Sequence, residues 1–187
     1  MVKATDLGKR YGARWIFRDL SFNVATGQCL QIIGANGSGK STLLKVMASL
    51  IPASHGDIKL GGTLGYASLE MNLYPQLTAA EHLEIAAQMR GVAARVDELL
   101  AYVGLEHAAK VAASQYSTGM KSRLKLALAV QTKPAILILD EPSAAMDDTG
   151  RRLVSEIVTE QLTRGCAIVA TNDRQDRSFA THELELA

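Results

Sequence analysis

Gly34-Ala35-Asn36-Gly37-Ser38-Gly39-Lys40-Ser41 fits the pattern GxxxxGK[ST] at every position, and Thr42 follows directly. Glycines at this spacing let a backbone wrap closely around an anion and turn its N–H groups inward as a nest. The Lys40 ammonium then suits the β- and γ-phosphates of a nucleotide, and the Ser41 hydroxyl suits Mg²⁺. Gly34, Asn36, Gly37, Ser38, Gly39, Lys40, Ser41 and Thr42 are the candidate nucleotide-binding residues. The plain alternative is a glycine-rich turn with a surface lysine.

Two further stretches could act on the same ligand. In Ile136-Leu-Ile-Leu-Asp140-Glu141 an apolar run ends in two acids. A buried strand that delivers Asp140 at its C-terminal end puts a carboxylate where Mg²⁺ must be held. The neighbouring Glu141 can take a proton from an attacking water. Alone, such acids also simply end a strand. YSTGMKS (116–122) crowds Ser117, Thr118 and Gly119 at the entrance of a helix. Such an entrance suits an anion, because free N–H groups and the helix dipole point outward together. It also suits an ordinary N-cap.

These residues need a scaffold of short buried strands and helices, and the pattern supplies one. CLQII (29–33) reads as a buried strand before the glycine loop, and LLKVMASL as the helix after it. VKATDL, RWIF and LSFNV read as short N-terminal strands broken by glycine turns. GDIKLGG and TLGYAS read as a strand pair, or a strand and turn. Between 78 and 113, three Ala-rich amphipathic pieces follow, LTAAEHLEIAAQMRG, VAARVDELLAYVG and LEHAAKVAAS. Then come the YSTGMKS helix, the strand AILILD, a helix over about 147–163, the strand CAIVAT and a short strand near LEL. Strand–helix alternation around fully apolar strands predicts an α/β fold with a mainly parallel sheet covered on both faces.

The chain of 187 residues is long enough for one domain with a real core. Its 48% hydrophobic and 21% charged residues are ordinary for an α/β protein. A formal charge of +1 without a basic run speaks against nucleic acid as a partner. AILIL is too short to cross a bilayer, and the N-terminus lacks a signal-peptide core. Cys29 and Cys166 lie in apolar strands without CxxC spacing, which reads as reduced core cysteines of a cytosolic protein.

With the three motifs in this order, the chain resembles the nucleotide-binding subunit of an ABC transporter over essentially its whole length. The first two stretches match Walker A and Walker B. YSTGM matches the signature motif, normally closer to LSGGQ, with Thr118 where a glycine is usual. The resemblance implies a P-loop NTPase (ABC ATPase) fold with a mainly parallel sheet core, an N-terminal antiparallel β part and a helical subdomain. It implies a single domain over 1–187, with the core in 1–69 and 116–187 and the helical subdomain in about 70–115. The ligands implied are ATP and Mg²⁺, with the metal at Ser41 and Asp140 and the general base at Glu141.

The same resemblance implies a head-to-tail homodimer, in which Ser117 and the Gly119 N–H reach the γ-phosphate bound by the other subunit. By it, Tyr11 stacks on adenine, with Trp15 as rival and a turn tyrosine packed on the sheet as alternative. Asp147 in SAAMDD (143–148) becomes a cross-dimer contact. GYASLEMNLYPQLT would couple to a membrane-embedded permease through Leu73, Tyr74 and Pro75, unless it is merely a packed loop. The subunit would then be cytoplasmic and peripheral on the inner face of the cell membrane. Two positions depart from the family pattern. Leu69 stands where a glutamine is usual, and Asn172, in ATND, where a histidine is usual. Leucine has no lone pair for a metal, and asparagine carries no charge or proton at neutral pH. Slow hydrolysis is therefore expected with ATP binding intact. The short chain and WIFRDLSF…GANGSGKSTLL are similar to the haem-exporter ATPase of cytochrome c maturation. The rival functions are a soluble ABC ATPase acting on nucleic acid or ribosomes, and a nucleotide-gated clamp that scarcely hydrolyses.

Overall fold

The N-terminal apolar positions do not break into three short strands; they form one long hairpin. In the computed structural model, which describes residues 1–172 and 179–186, β1 (Val2–Tyr11) and β2 (Arg14–Val24) pair antiparallel from Val2↔Val24 to Tyr11↔Arg14. Gly12 turns between them at φ 58°, a conformation that glycine adopts without steric cost. β4 (His55–Leu60) lies on the other edge of β1, giving a three-stranded antiparallel sheet in the order β2-β1-β4.

The second sheet is built from the short apolar runs. β3 (Cys29–Gly34), β5 (Leu64–Ser68), β6 (Ile136–Asp140), β7 (Cys166–Ala170) and β8 (His182–Leu186) form five parallel strands in the order β5-β6-β7-β3-β8. All five residues of β6 and of β7 are buried, as strands covered on both faces must be. The expected pairing of GDIKLGG with TLGYAS does not occur. β4 joins the antiparallel sheet and β5 the parallel one, because each finds its partner far away in sequence.

Side-chain alternation along the parallel strands divides the core in two. Ile136, Ile138, Ile168 and Ile32 point to the face covered by the hairpin sheet and α1 (Lys40–Met47). Leu137, Leu139, Ala167 and Val169 point to the face covered by the remaining helices. These are α2 (Ala79–Met89), α3 (Val96–Val103), α4 (Thr118–Val130) and α5 (Asp148–Arg164). Thr78 starts α2 by accepting the Glu81 N–H, while the Glu81 carboxylate accepts the Thr78 N–H in return. The third Ala-rich piece is not a full helix. It closes just two short 3₁₀ turns, Glu106–Ala108 and Ala113–Gln115, because Gly104 in the left-handed region has already broken the run. Among the described residues no helix is long and apolar enough to cross a membrane.

Candidate functional site

The glycine loop leaves β3 at Gly34 and enters α1 at Lys40. Gly39 caps the helix at φ 104°, and a Cβ there would stand 2.5 Å from Ile16 Cγ2. At Gly34 a Cβ would meet the Leu186 carbonyl oxygen at 2.5 Å and Ser38 Oγ at 2.6 Å. Both positions therefore require glycine for space, and Gly39 for conformation as well. Lys40 is only 6% exposed, and its ammonium donates to the carbonyls of Gly34 at 2.8 Å and Ala35 at 3.2 Å. The cation is thus folded over the loop it would share with phosphate oxygens. Ser38 Oγ is buried with no hydrogen-bond partner, an unspent donor inside the cradle.

Asp140 ends β6 one strand away from β7, which lies next to β3. It is 5% exposed, and its Oδ1 has no hydrogen-bond partner. Burial pushes its carboxyl above the usual range, against the Ser41 hydroxyl, which hydrogen-bonds it and pulls the other way. A buried anion with an unused lone pair, beside a serine on the phosphate loop's helix, fits a hard cation. Among the described residues no group of three or more His, Cys, Asp or Glu could hold a metal alone. A divalent cation here would be held by Ser41 and Asp140 together with ligand phosphates, the habit of Mg²⁺.

Glu141 follows at φ 49°, a turn that carries its side chain away from the strand direction. Its N–H donates to the Ala170 carbonyl at 2.8 Å, and its Oε2 accepts the Asn172 N–H at 3.3 Å. Asn172 Nδ2 in turn donates to Asn36 Oδ1 of the glycine loop at 2.6 Å. Glu141, Asn172 and Asn36 are therefore one constellation, although they come from three separate connections. Ser68 at the end of β5 is in register with Asp140, so Leu69 emerges beside this group, 41% exposed.

Tyr11 and Trp15 face opposite sides of the hairpin. Phe17, opposite Lys9, and its neighbour Ile16 meet Gly39, while the Lys9 ammonium stands 5.0 Å from the centre of the Tyr11 ring. Tyr11 lies two residues on from Lys9, on the same face and 56% exposed. Trp15 instead packs against Gly8 and under Arg10. The orientation favours Tyr11 over Trp15 beside the loop.

Ser117 caps α4, its Oγ accepting the Met120 N–H at 3.2 Å, and Ser117 and Thr118 are exposed. α4 lies on the sheet face opposite α1, so a single chain does not bring Ser117 or Gly119 to the glycine loop. Asp147 is likewise exposed. It caps α5 by accepting the Gly150 N–H at 2.8 Å and pairs with Arg123 at 3.4 Å, and both hold its carboxyl below the usual range, the cap most strongly. That capping role is local and was legible in Asp-Asp-Thr-Gly. In the 69–75 segment, Tyr74 is 68% exposed and Pro75 exposed, while Leu73 is half-buried against the core. His82 Nε2 accepts the Tyr74 N–H at 2.9 Å and holds the segment in place. Two pairings carry no sequence signal: Asn36 with Asn172, and Lys45 of α1 with Glu70, at 2.6 Å.

The sequence pattern of the ABC transporter family matches residues 17–144. A cytochrome c biogenesis ATP-binding export protein of Cupriavidus metallidurans, CcmA 2, is 35% identical over 98% of this chain and 95% of its own length. The linearmycin resistance ATP-binding protein LnrL of Bacillus subtilis is 33% identical over 92% of this chain, which spans 61% of that relative's length. A solved ATP-binding subunit of an ABC transporter superimposes with a TM-score of 0.90 at 26% identity, over 99% of this chain and 85% of its own. A bacterial ABC transporter cassette solved as a dimer superimposes with a TM-score of 0.91 at 24% identity, over 100% of this chain and 94% of its own.

Proposed function

From the premise that the chain belongs to the ABC transporter family, we propose that it is the ATP-binding and ATP-hydrolysing subunit of a transporter, paired with a second copy and docked on a separate membrane permease. One observation carries the reading. Asp140 is a buried carboxylate with an unused oxygen, placed beside Ser41 at the foot of a glycine nest. Without a cation such an arrangement costs stability; with a Mg²⁺–nucleotide it is matched.

Each residue then has a task. The loop N–H groups and Lys40 hold the β- and γ-phosphates, and Tyr11 packs on the base. Mg²⁺, held by Ser41 and Asp140 with the phosphates, would neutralise developing charge. Glu141 takes the proton of the attacking water, while the Asn172 N–H fixes one of its oxygens. Ser117 and Gly119 complete the site of the second copy, which agrees with the exposure of Ser117 and with the opposite placement of α1 and α4. Asp147 lies at the same surface. Segment 69–75, with exposed Tyr74, and the helices within 70–115 face the permease. On this reading the subunit is peripheral on the cytoplasmic face of the membrane.

The same residues favour slow hydrolysis by the isolated subunit. Leu69 offers no lone pair, and Asn172 orients but cannot donate charge. A clamp that binds ATP and scarcely hydrolyses it is the second reading, and these two positions favour it. Glu141→Gln separates the two. It keeps the shape and removes the base, so the variant should elute from gel filtration with ATP as a stable dimer and release no phosphate. A Glu141→Gln protein that hydrolyses as fast as its parent would take the glutamate out of the reaction and put the clamp first.

A further inference from the structure

Leu69 cannot follow the metal, yet the segment it opens is still tied to the nucleotide site. The next side chain, Glu70, meets the Lys45 ammonium of α1 at 2.6 Å. Lys45 follows Ser41 by four residues on α1, so the two share a helix face, one turn apart. The register of β5 with β6 sets Ser68 opposite Asp140, and Glu70 lies two residues past Ser68. Two rungs therefore run side by side from one face of α1. Ser41 reaches Asp140 at the end of β6, and Lys45 reaches Glu70 just beyond β5. Lys45 and Glu70 also line a groove of about 490 Å³ together with Leu50, Tyr66, Met71 and Arg90.

Resting on the reading of the chain as an ABC nucleotide-binding subunit, we infer that Glu70, acting through Lys45, is the positioning residue by which segment 69–75 follows nucleotide binding. Leucine at 69 has no lone pair to offer a metal. The ion pair instead grips the helix whose first turn carries Lys40 and Ser41, and so reports the movement of that turn. The bland reading is an ordinary surface bridge, and as a source of fold stability it is only that, because the Glu70 side chain is 69% exposed. Its position is what sets it apart. It joins the turn that holds the ligand to the segment that carries Tyr74.

The test uses the whole chain with Asn72→Cys, an exposed position inside the segment, labelled with an environment-sensitive fluorophore. Cys29 and Cys166 are buried and do not compete. Two quantities are read: affinity for a fluorescent ATP analogue with Mg²⁺, and the change in label emission when Mg²⁺–ATP is added. Lys45→Met and Glu70→Gln should keep affinity within about threefold of the parent and lose most of the emission change. The exchange Lys45→Glu with Glu70→Lys should recover much of it, as a pairwise interaction requires. Single variants with a full emission change, an exchange no better than the singles, or a labelled parent that binds but does not respond would each overturn the inference. A labelled parent that fails to bind the analogue would overturn the functional reading along with it, so the two failures are distinguishable.

Discussion

Asp140→Asn should make the nucleotide-free protein more stable and the nucleotide-bound protein less so. The parent residue is 5% exposed, one of its oxygens has no partner, and burial is the main cause that raises its carboxyl. A raised acid binds its proton more tightly in the folded chain than in the unfolded one. Ionisation therefore costs stability at neutral pH, and the cost disappears as pH falls through the folded value toward the ordinary 3.8. An unsatisfied buried group costs about 1–3 kcal/mol. Asparagine keeps the shape and removes the charge but not every unmet hydrogen bond, so a gain of about 1 kcal/mol is expected. For a chain of this size that corresponds to a rise of roughly 2–4 °C in Tm. Mg²⁺ and ATP reverse the order, because a ligand at 100 times its Kd stabilises the parent by about 2.7 kcal/mol. The variant, short of a metal ligand, gains much less. Melts in EDTA, in EDTA with ATP, and in Mg²⁺ with ATP would show the crossing. A variant that melts no higher than the parent in EDTA, or gains as much from Mg²⁺–ATP, refutes the reasoning.

Ser117→Arg should leave ATP binding by the monomer intact and block ATP-driven dimerisation, read by light scattering, since the guanidinium would fill the exposed entrance of α4. Tyr74→Asp should lose co-purification with the membrane subunit at unchanged ATP affinity, because a lost aromatic anchor costs about 2 kcal/mol or more at an interface. Asn172→His should raise steady-state phosphate release. An imidazole at the end of β7 can supply transition-state stabilisation worth a few kcal/mol that the amide does not, and an unchanged rate would remove position 172 from the reaction.

What the sequence revealed follows the range of the forces involved. The glycine loop was readable because its constraints are local: Gly39 needs a left-handed φ and both Gly34 and Gly39 need room for a neighbour's atoms. β6 and β7 were readable because burial on both faces demands an unbroken apolar run. The membership of β4 and β5 was not, because their partners lie across the chain and both strands carry similar short patterns. LEHAAKVAAS has helical composition but lacks the length to hold a helix after Gly104. In the candidate site, Asp140 and Glu141 were singled out by their place at the end of an apolar run, and Asn172 by the family resemblance. The contact of Asn172 with Asn36, 136 residues apart, and that of Lys45 with Glu70 leave no periodic trace, since polar residues on loops obey no pattern. Asp147 shows the opposite case: the family resemblance pointed outward to a second copy, while its contacts within the chain are local, the cap of its own helix and the pair with Arg123.

The strand order has a consequence for how the protein is made. β3, which delivers the glycine loop, has only β7 and β8 as neighbours in its sheet, and the contact of Cys29 with Thr181 spans 152 residues. At synthesis rates of about 5–20 residues per second, β3 waits roughly eight to thirty seconds for its neighbours to be made. The β1–β2 hairpin can close early, but the apolar CLQII strand cannot be buried until residues 166–186 have left the ribosome. The nascent chain therefore carries a sticky, unpaired strand until those residues emerge. Nucleotide cannot protect it then, because Gly34 takes up its final setting only against Leu186. Capture of ATP thus waits for β8, and a ribosome-bound chain that retains ATP has already seated that strand.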